Sequence, residues 1–106
     1  MDPEIYQLHA EICQTLSNPK RLEVLELLSG GEKTVGELAV ALNLRQANLS
    51  QHLSLLRQRG VVATRREGTN IYYHVTHPKI IEACRLLREV LLEQLKERAK
   101  LVKKLR

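Results

Sequence analysis

Few groups in this chain can do chemistry, and their spacing decides of what kind. Cys13 and Cys84 are the two thiols, and His9, His52, His74 and His77 are scattered imidazoles. No Ser/His/Asp grouping, phosphate-cradling glycine loop or paired-carboxylate cleft can be assembled, which argues against an enzyme. What the chain concentrates is recognition chemistry. Ala47, Asn48, Gln51, Ser54 and Gln58 share one side of a helical stretch. Amide side chains can bond adenine in two places, and a serine hydroxyl can bond either member of a base pair.

That stretch needs a scaffold, and the run from Thr34 to Gly60, TVGELAVALNLRQANLSQHLSLLRQRG, supplies one. Thr34 and Glu37 have capping-box spacing, which satisfies orphan amides at a helix start. Val35, Leu38, Ala39 and Leu42 then recur on one helical face. Asn43 tolerates the left-handed conformation that stops a helix, and Leu44 plugs the turn. A second helix follows. It buries Leu49, Leu53 and Leu56, turns its polar side outward and ends at Gly60. This is a helix-turn-helix pattern, whose second helix enters the major groove. A plain helical hairpin with a solvated polar face has the same pattern, so what comes next matters.

After Gly60 the period changes to two. Val62, Thr64 and Arg66 alternate with Ala63 and Arg65, and Ile71, Tyr73 and Val75 alternate with Tyr72 and His74. The turn cluster Glu67-Gly68-Thr69-Asn70 between them predicts a β-hairpin. A lone hairpin is not stable in water, so it must lie against the helices with its tip projecting. Arg65 and Arg66 flank that tip, which suits a phosphate or minor-groove contact.

The flanking segments are helical. Asp2-Pro3 opens a first helix with an Ile5, Leu8, Ile12 and Leu16 stripe, and His9 and Cys13 lie beside it. Asn18-Pro19 opens a second, with Leu22, Leu25 and Leu28 directed inward before Gly30-Gly31. Pro78 opens a last helix, expected to run ~24 residues or ~36 Å, longer than so small a domain can cover. Its Ile80, Cys84, Leu87, Leu91, Leu95 and Val102 approach a coiled-coil seam. Such a seam calls for a second copy. The Lys- and Arg-rich tail from Lys96 to Arg106 is expected to be a frayed, solvated end.

Length and composition agree with one domain spanning 1–106. The 106 residues are 43% hydrophobic with no Phe or Trp, so the core must be aliphatic. The net charge of +5 points to an anionic partner, nucleic acid before membrane. No stretch is apolar enough to span a bilayer. The acidic start MDPEIYQ does not read as a signal peptide. A cytoplasmic protein with reduced thiols is the expectation.

The segments LSNPKRLEVLELL, TVGELAVALNL, LSQHLSLLRQRGVV and REGTNIYYHV strongly resemble the ArsR/SmtB family of winged-helix repressors. The most specific parts are the block Ser50-Gln51-His52-Leu53 and the wing Arg66-Glu67-Gly68 with Tyr72-Tyr73. The resemblance implies a mostly α-helical winged helix-turn-helix, four helices, a two-stranded β-hairpin wing and a fifth helix. It implies a homodimer joined through the first and last helices, bound to an inverted-repeat DNA operator and released by an effector.

The family's metal positions are poorly matched. Where one site needs a Cys motif, this chain has Thr34-Val35-Gly36. Where a second site uses carboxylates and imidazoles, it has about His77, Lys79, Val90 and Glu93, and neither Lys79 nor Val90 offers a lone pair at neutral pH. Neither a metal site nor a cofactor is expected. Cys13 and Cys84 remain. They are either small buried hydrophobes, a thiol switch, or a thiolate site for arsenite or a soft metal with His9 or His77. The resemblance puts both thiols near the dimer interface. Relatives that sense persulfides or oxidants place their first cysteine on the second helix, where this chain has only Leu and Val.

The expected DNA-binding set is Arg45, Gln46, Asn48, Ser50, Gln51 and Ser54 at the groove, with Arg57, Arg65 and Arg66 on phosphates. His52, between the two faces, is expected to make a phosphate or structural hydrogen bond. Arg45 stands where relatives often have a serine cap, so this helix start is weakly capped. A winged-helix module that binds protein is the competing reading. It would show an acidic or apolar recognition face, and this face is amide-rich with basic flanks.

Overall fold

The computed structural model describes all 106 residues. In chain order they form α1 (Pro3–Leu16), α2 (Pro19–Leu28), β1 (Lys33–Thr34), α3 (Val35–Leu42), α4 (Gln46–Gln58), β2 (Val62–Glu67), β3 (Asn70–Val75) and α5 (Pro78–Leu105). The local signals set the boundaries. Asp2 caps α1 by accepting from the Glu4 amide at 2.8 Å. Asn18 caps α2 by accepting from the amides of Lys20 and Arg21, with Pro19 in the first turn. Both halves of the Thr34/Glu37 capping box are made. Asn43 stops α3 with φ 53° and ψ 48°.

The core lies where α2, α3 and α4 meet the hairpin. Leu49, Leu53 and Leu56 of α4 are wholly inaccessible to solvent, as are Val24, Leu38 and Val61. Each such leucine contributes about 1.5–3 kcal/mol relative to exposure. On α2 the inward face is turned from expectation. Val24 is buried with Leu25 and Leu28, and Leu22 is only half-buried.

Three further departures concern the sheet and the last helix. The two-stranded hairpin forms as expected, but a third strand joins it. Lys33 and Thr34 pair with Tyr73 and Tyr72, giving an antiparallel sheet in the order β1-β3-β2. That third strand docks the hairpin beside the start of α3. The hairpin turn is tighter than the four-residue cluster suggests, because Glu67 and Asn70 still pair across it. Gly68 adopts φ +62°, the left-handed value that a two-residue turn needs at its first central position. Finally, the tail does not fray. α5 runs 28 residues, and Lys96 to Leu105 stay helical. No helix is long and apolar enough to cross a membrane.

The terminal helices are packed differently from the rest. On α5 only Ile81 is buried. Leu87, Leu91, Leu95 and Val102 all face solvent, as do Ile5 and Leu8 of α1.

Candidate nucleic-acid interface

α4 is oriented by its leucines. Because Leu49, Leu53 and Leu56 are sealed inside, the opposite face must look outward, and Asn48, Ser50, Gln51, Ser54 and Arg57 are all exposed. Arg45, at the N-cap, makes no side-chain capping bond, so the first amides of α4 keep free donor capacity. A helix N-terminus with unsatisfied amides attracts phosphate. Gln46 differs from its neighbours. Its amide nitrogen lies beside Gly36, 3.6 Å from where a Cβ there would stand, so it leans on α3.

α4 is also tied to α2 by a bond that no local pattern shows. Arg21 of α2 donates from Nε to His52 Nδ1 at 3.1 Å and from Nη1 to the Thr15 carbonyl at 3.0 Å. Of the two roles expected for His52, the structural hydrogen bond is the one made. Burial, and then the Arg21 charge, hold the His52 pKa below its ordinary value near 6.5. With Nδ1 accepting, the ring is neutral and its proton sits on Nε2.

The four arginines of the expected set separate into two kinds. Arg45, Arg57 and Arg66 are exposed and take part in no ion pair. Arg65 is engaged. Its guanidinium bonds Glu32 through both Nε and Nη2 and Glu67 through Nη1, and it lies 4.8 Å from the centre of the Tyr72 ring. Glu32, missed by sequence reasoning, is 33 positions away from Arg65. These contacts hold the Glu32 carboxyl below the ordinary carboxylate value and raise the Arg65 pKa further.

The cysteines line a common groove. Cys13 of α1, exposed, and Cys84 of α5, half-buried, line one open apolar groove of about 360 Å³ with Leu16, Leu22 and Leu87. His9 and His77 are not among its lining residues. The positions expected for a family metal site are spread along α5, from His77 at its N-cap to Glu93 four turns on, and no three His, Cys, Asp or Glu side chains converge.

A recognition-type helix with a sealed apolar back, beside an arginine-bearing hairpin, is the geometry of a winged helix-turn-helix. The family model for bacterial regulatory proteins of the arsR family matches residues 18–64. The HTH-type transcriptional regulator Rv0081 of Mycobacterium tuberculosis is 41% identical over 103 residues, covering 96% of this chain and 90% of that protein. The chain belongs to the ArsR family. ArsR-family proteins are DNA-binding transcriptional regulators, not enzymes. The Rv0081 crystal structure superimposes with a TM-score of 0.82 at 41% identity, covering 93% of this chain and 99% of that one. A homodimeric winged helix-turn-helix DNA-binding domain from Mycobacterium bovis, solved by NMR, matches with a TM-score of 0.80 at 31% identity, covering 89% of this chain and 87% of that one. The biofilm growth-associated repressor of Agrobacterium fabrum is 44% identical over 77 residues, covering 70% of this chain and 66% of that protein.

Proposed function

We propose that this ArsR-family chain is a homodimeric repressor that binds an inverted-repeat operator and lets go when its cysteines are modified. The observation that carries the reading is the outward face of α4, rich in amides and hydroxyls and set by three fully buried leucines. Asn48, Ser50, Gln51 and Ser54 read base edges. Arg45, Arg57 and Arg66 set the register on phosphates. The second copy packs on the open apolar faces of α1 and α5, which places two α4 helices about 34 Å apart, one turn of DNA.

The shared Cys13/Cys84 groove supports control by thiols. Oxidation forms an S–S bond as the two thiols give up two protons and two electrons to an oxidant; with a polysulfide, one of its sulfur atoms is inserted between them and the rest leaves as sulfide, giving a longer bridge. A direct disulfide needs Cα atoms within about 7 Å. Linking α1 to α5 then shifts the surface on which the two copies meet and spoils simultaneous docking. Because the two thiols share one groove, arsenite is the second effector to try.

A gel shift on the protein's own upstream region, at stated salt, tests the DNA reading. Wild type should prefer that duplex to a scrambled one, and polysulfide should release it. Cys13→Ser and Cys84→Ser should bind DNA normally and ignore polysulfide. An unchanged response in both variants would falsify the thiol switch and leave the DNA reading standing.

A further inference from the structure

We infer that Arg65 is a wing-positioning residue and not a phosphate contact, and that Glu32 is its anchor beside the helix-turn-helix. The inference rests on the DNA-binding reading above.

The geometry is a staple across the sheet. β3 is the central strand, with β1 on one side and β2 on the other. Tyr72 of β3 is opposite Thr34 on one side and Arg65 on the other. Arg65 starts on the outer strand, passes over the Tyr72 ring and reaches Glu32, the residue before β1. Both oxygens of Glu32 are used, so the pairing is a two-pronged one that fixes direction as well as distance. Glu67, the last residue of β2, takes the remaining prong at 2.8 Å. On its other side, β1 runs straight into Thr34, the residue that caps α3. The wing is thereby tied to the first helix of the pair that carries α4.

Charge argues the same way. One guanidinium between two carboxylates makes a cluster of net charge −1, which repels a phosphate. To reach DNA, Arg65 would have to leave three charge-assisted bonds and its ring contact. Arg66 has none of these ties. It points to the opposite face of the strand, pairs across it with Ile71 and stays exposed. Of the two adjacent arginines, Arg66 is the one that meets phosphate, and Arg65 aims it.

The test is operator binding across a salt series, with backbone hydrogen exchange of the DNA-free protein as a second measurement. If Arg65 touched phosphate, freeing it by Glu32→Gln would tighten binding and steepen the salt dependence, and Arg65→Lys would keep the contact. As a staple, Glu32→Gln, Arg65→Ala and Arg65→Lys should each weaken binding roughly two- to fivefold with the salt slope unchanged, because lysine lacks the fork. The same three variants should speed exchange of the β1 and β3 amides. Arg66→Ala should lower the slope by about one. Tighter binding by Glu32→Gln, or wild-type behaviour of Arg65→Lys, overturns the inference. Wild type that shows no operator preference removes the DNA reading itself, a result distinct from either.

Discussion

The winged body and the terminal helices are built on opposite terms. From Asn18 to Thr76 the chain supplies all but one of the buried apolar residues of the core and leaves no buried polar side chain without a partner. Thr76, for example, closes that body by donating from Oγ1 to the Val61 carbonyl at 3.0 Å. α1 and α5 supply little of that core. Their apolar stripes are open, and α5 adds a single buried residue to the core. Charge divides along similar lines. Residues 96–106 hold six Lys or Arg against one Glu, which equals the whole net charge of +5, whereas residues 1–95 hold eleven of each sign. The net charge that suggested a nucleic-acid partner therefore belongs to the end of α5. The recognition surface proposed above would depend instead on a few unpaired arginines, Arg45, Arg57 and Arg66, placed around neutral amides. The basic composition and the proposed DNA-reading face are thus separate features of this molecule.

The division is open to test, starting with its largest expected effect. Leu53→Ala removes a fully buried side chain and should cost about 2–5 kcal/mol of folding stability, read by urea denaturation. A cost typical of an exposed leucine would mean that the body is not sealed. Next, Leu91→Glu with Leu95→Glu should leave the circular dichroism of the fold intact. It should also raise the dimer dissociation constant by about thirtyfold or more, the effect of losing a 2 kcal/mol anchor. Unaltered association would place the second copy elsewhere. Gln51→Ala should weaken operator binding by about 1–3 kcal/mol and binding to scrambled DNA hardly at all.

The smallest effect concerns pH and sharpens how α4 is tied to α2. His52 has a lowered pKa in the folded state, so the unfolded chain takes up the proton first as pH falls. Stability that depends on a neutral His52, buried and bonded to Arg21, is then present above about pH 6.5 and is lost progressively below it. Glu26, Glu32 and Glu37 are lowered too, and their contributions fade only below the ordinary carboxylate value of 4.5. Wild type should therefore lose stability between pH 7 and 5.5, and His52→Gln should lose less over that range. Equal losses would show that the His52 bond contributes nothing.

Much of this organisation was legible in the sequence, and the exceptions share a cause. The caps at Asp2, Asn18 and Thr34 and the stop at Asn43 each rest on bonds within a few residues, so spacing reveals them. The outward set on α4 followed from the period of Leu49, Leu53 and Leu56. β1 could not be read, because two residues become a strand only by pairing with Tyr72 and Tyr73. The Arg65–Glu32 and Arg21–His52 ties join distant positions and leave no periodic trace. A Lys- and Arg-rich composition argued for a frayed tail, yet α5 stays helical to Leu105. Val24 is buried in place of Leu22, which instead lines the groove shared by Cys13 and Cys84, and spacing within α2 alone does not encode that.

Hydroxyl-radical footprinting of the upstream duplex tests the central claim most directly. Two protected segments centred about one helical turn, roughly 10 base pairs, apart are predicted, and both should vanish together in the Leu91→Glu, Leu95→Glu variant. A single protected segment that survives those substitutions, or uniform protection along the duplex, would contradict it.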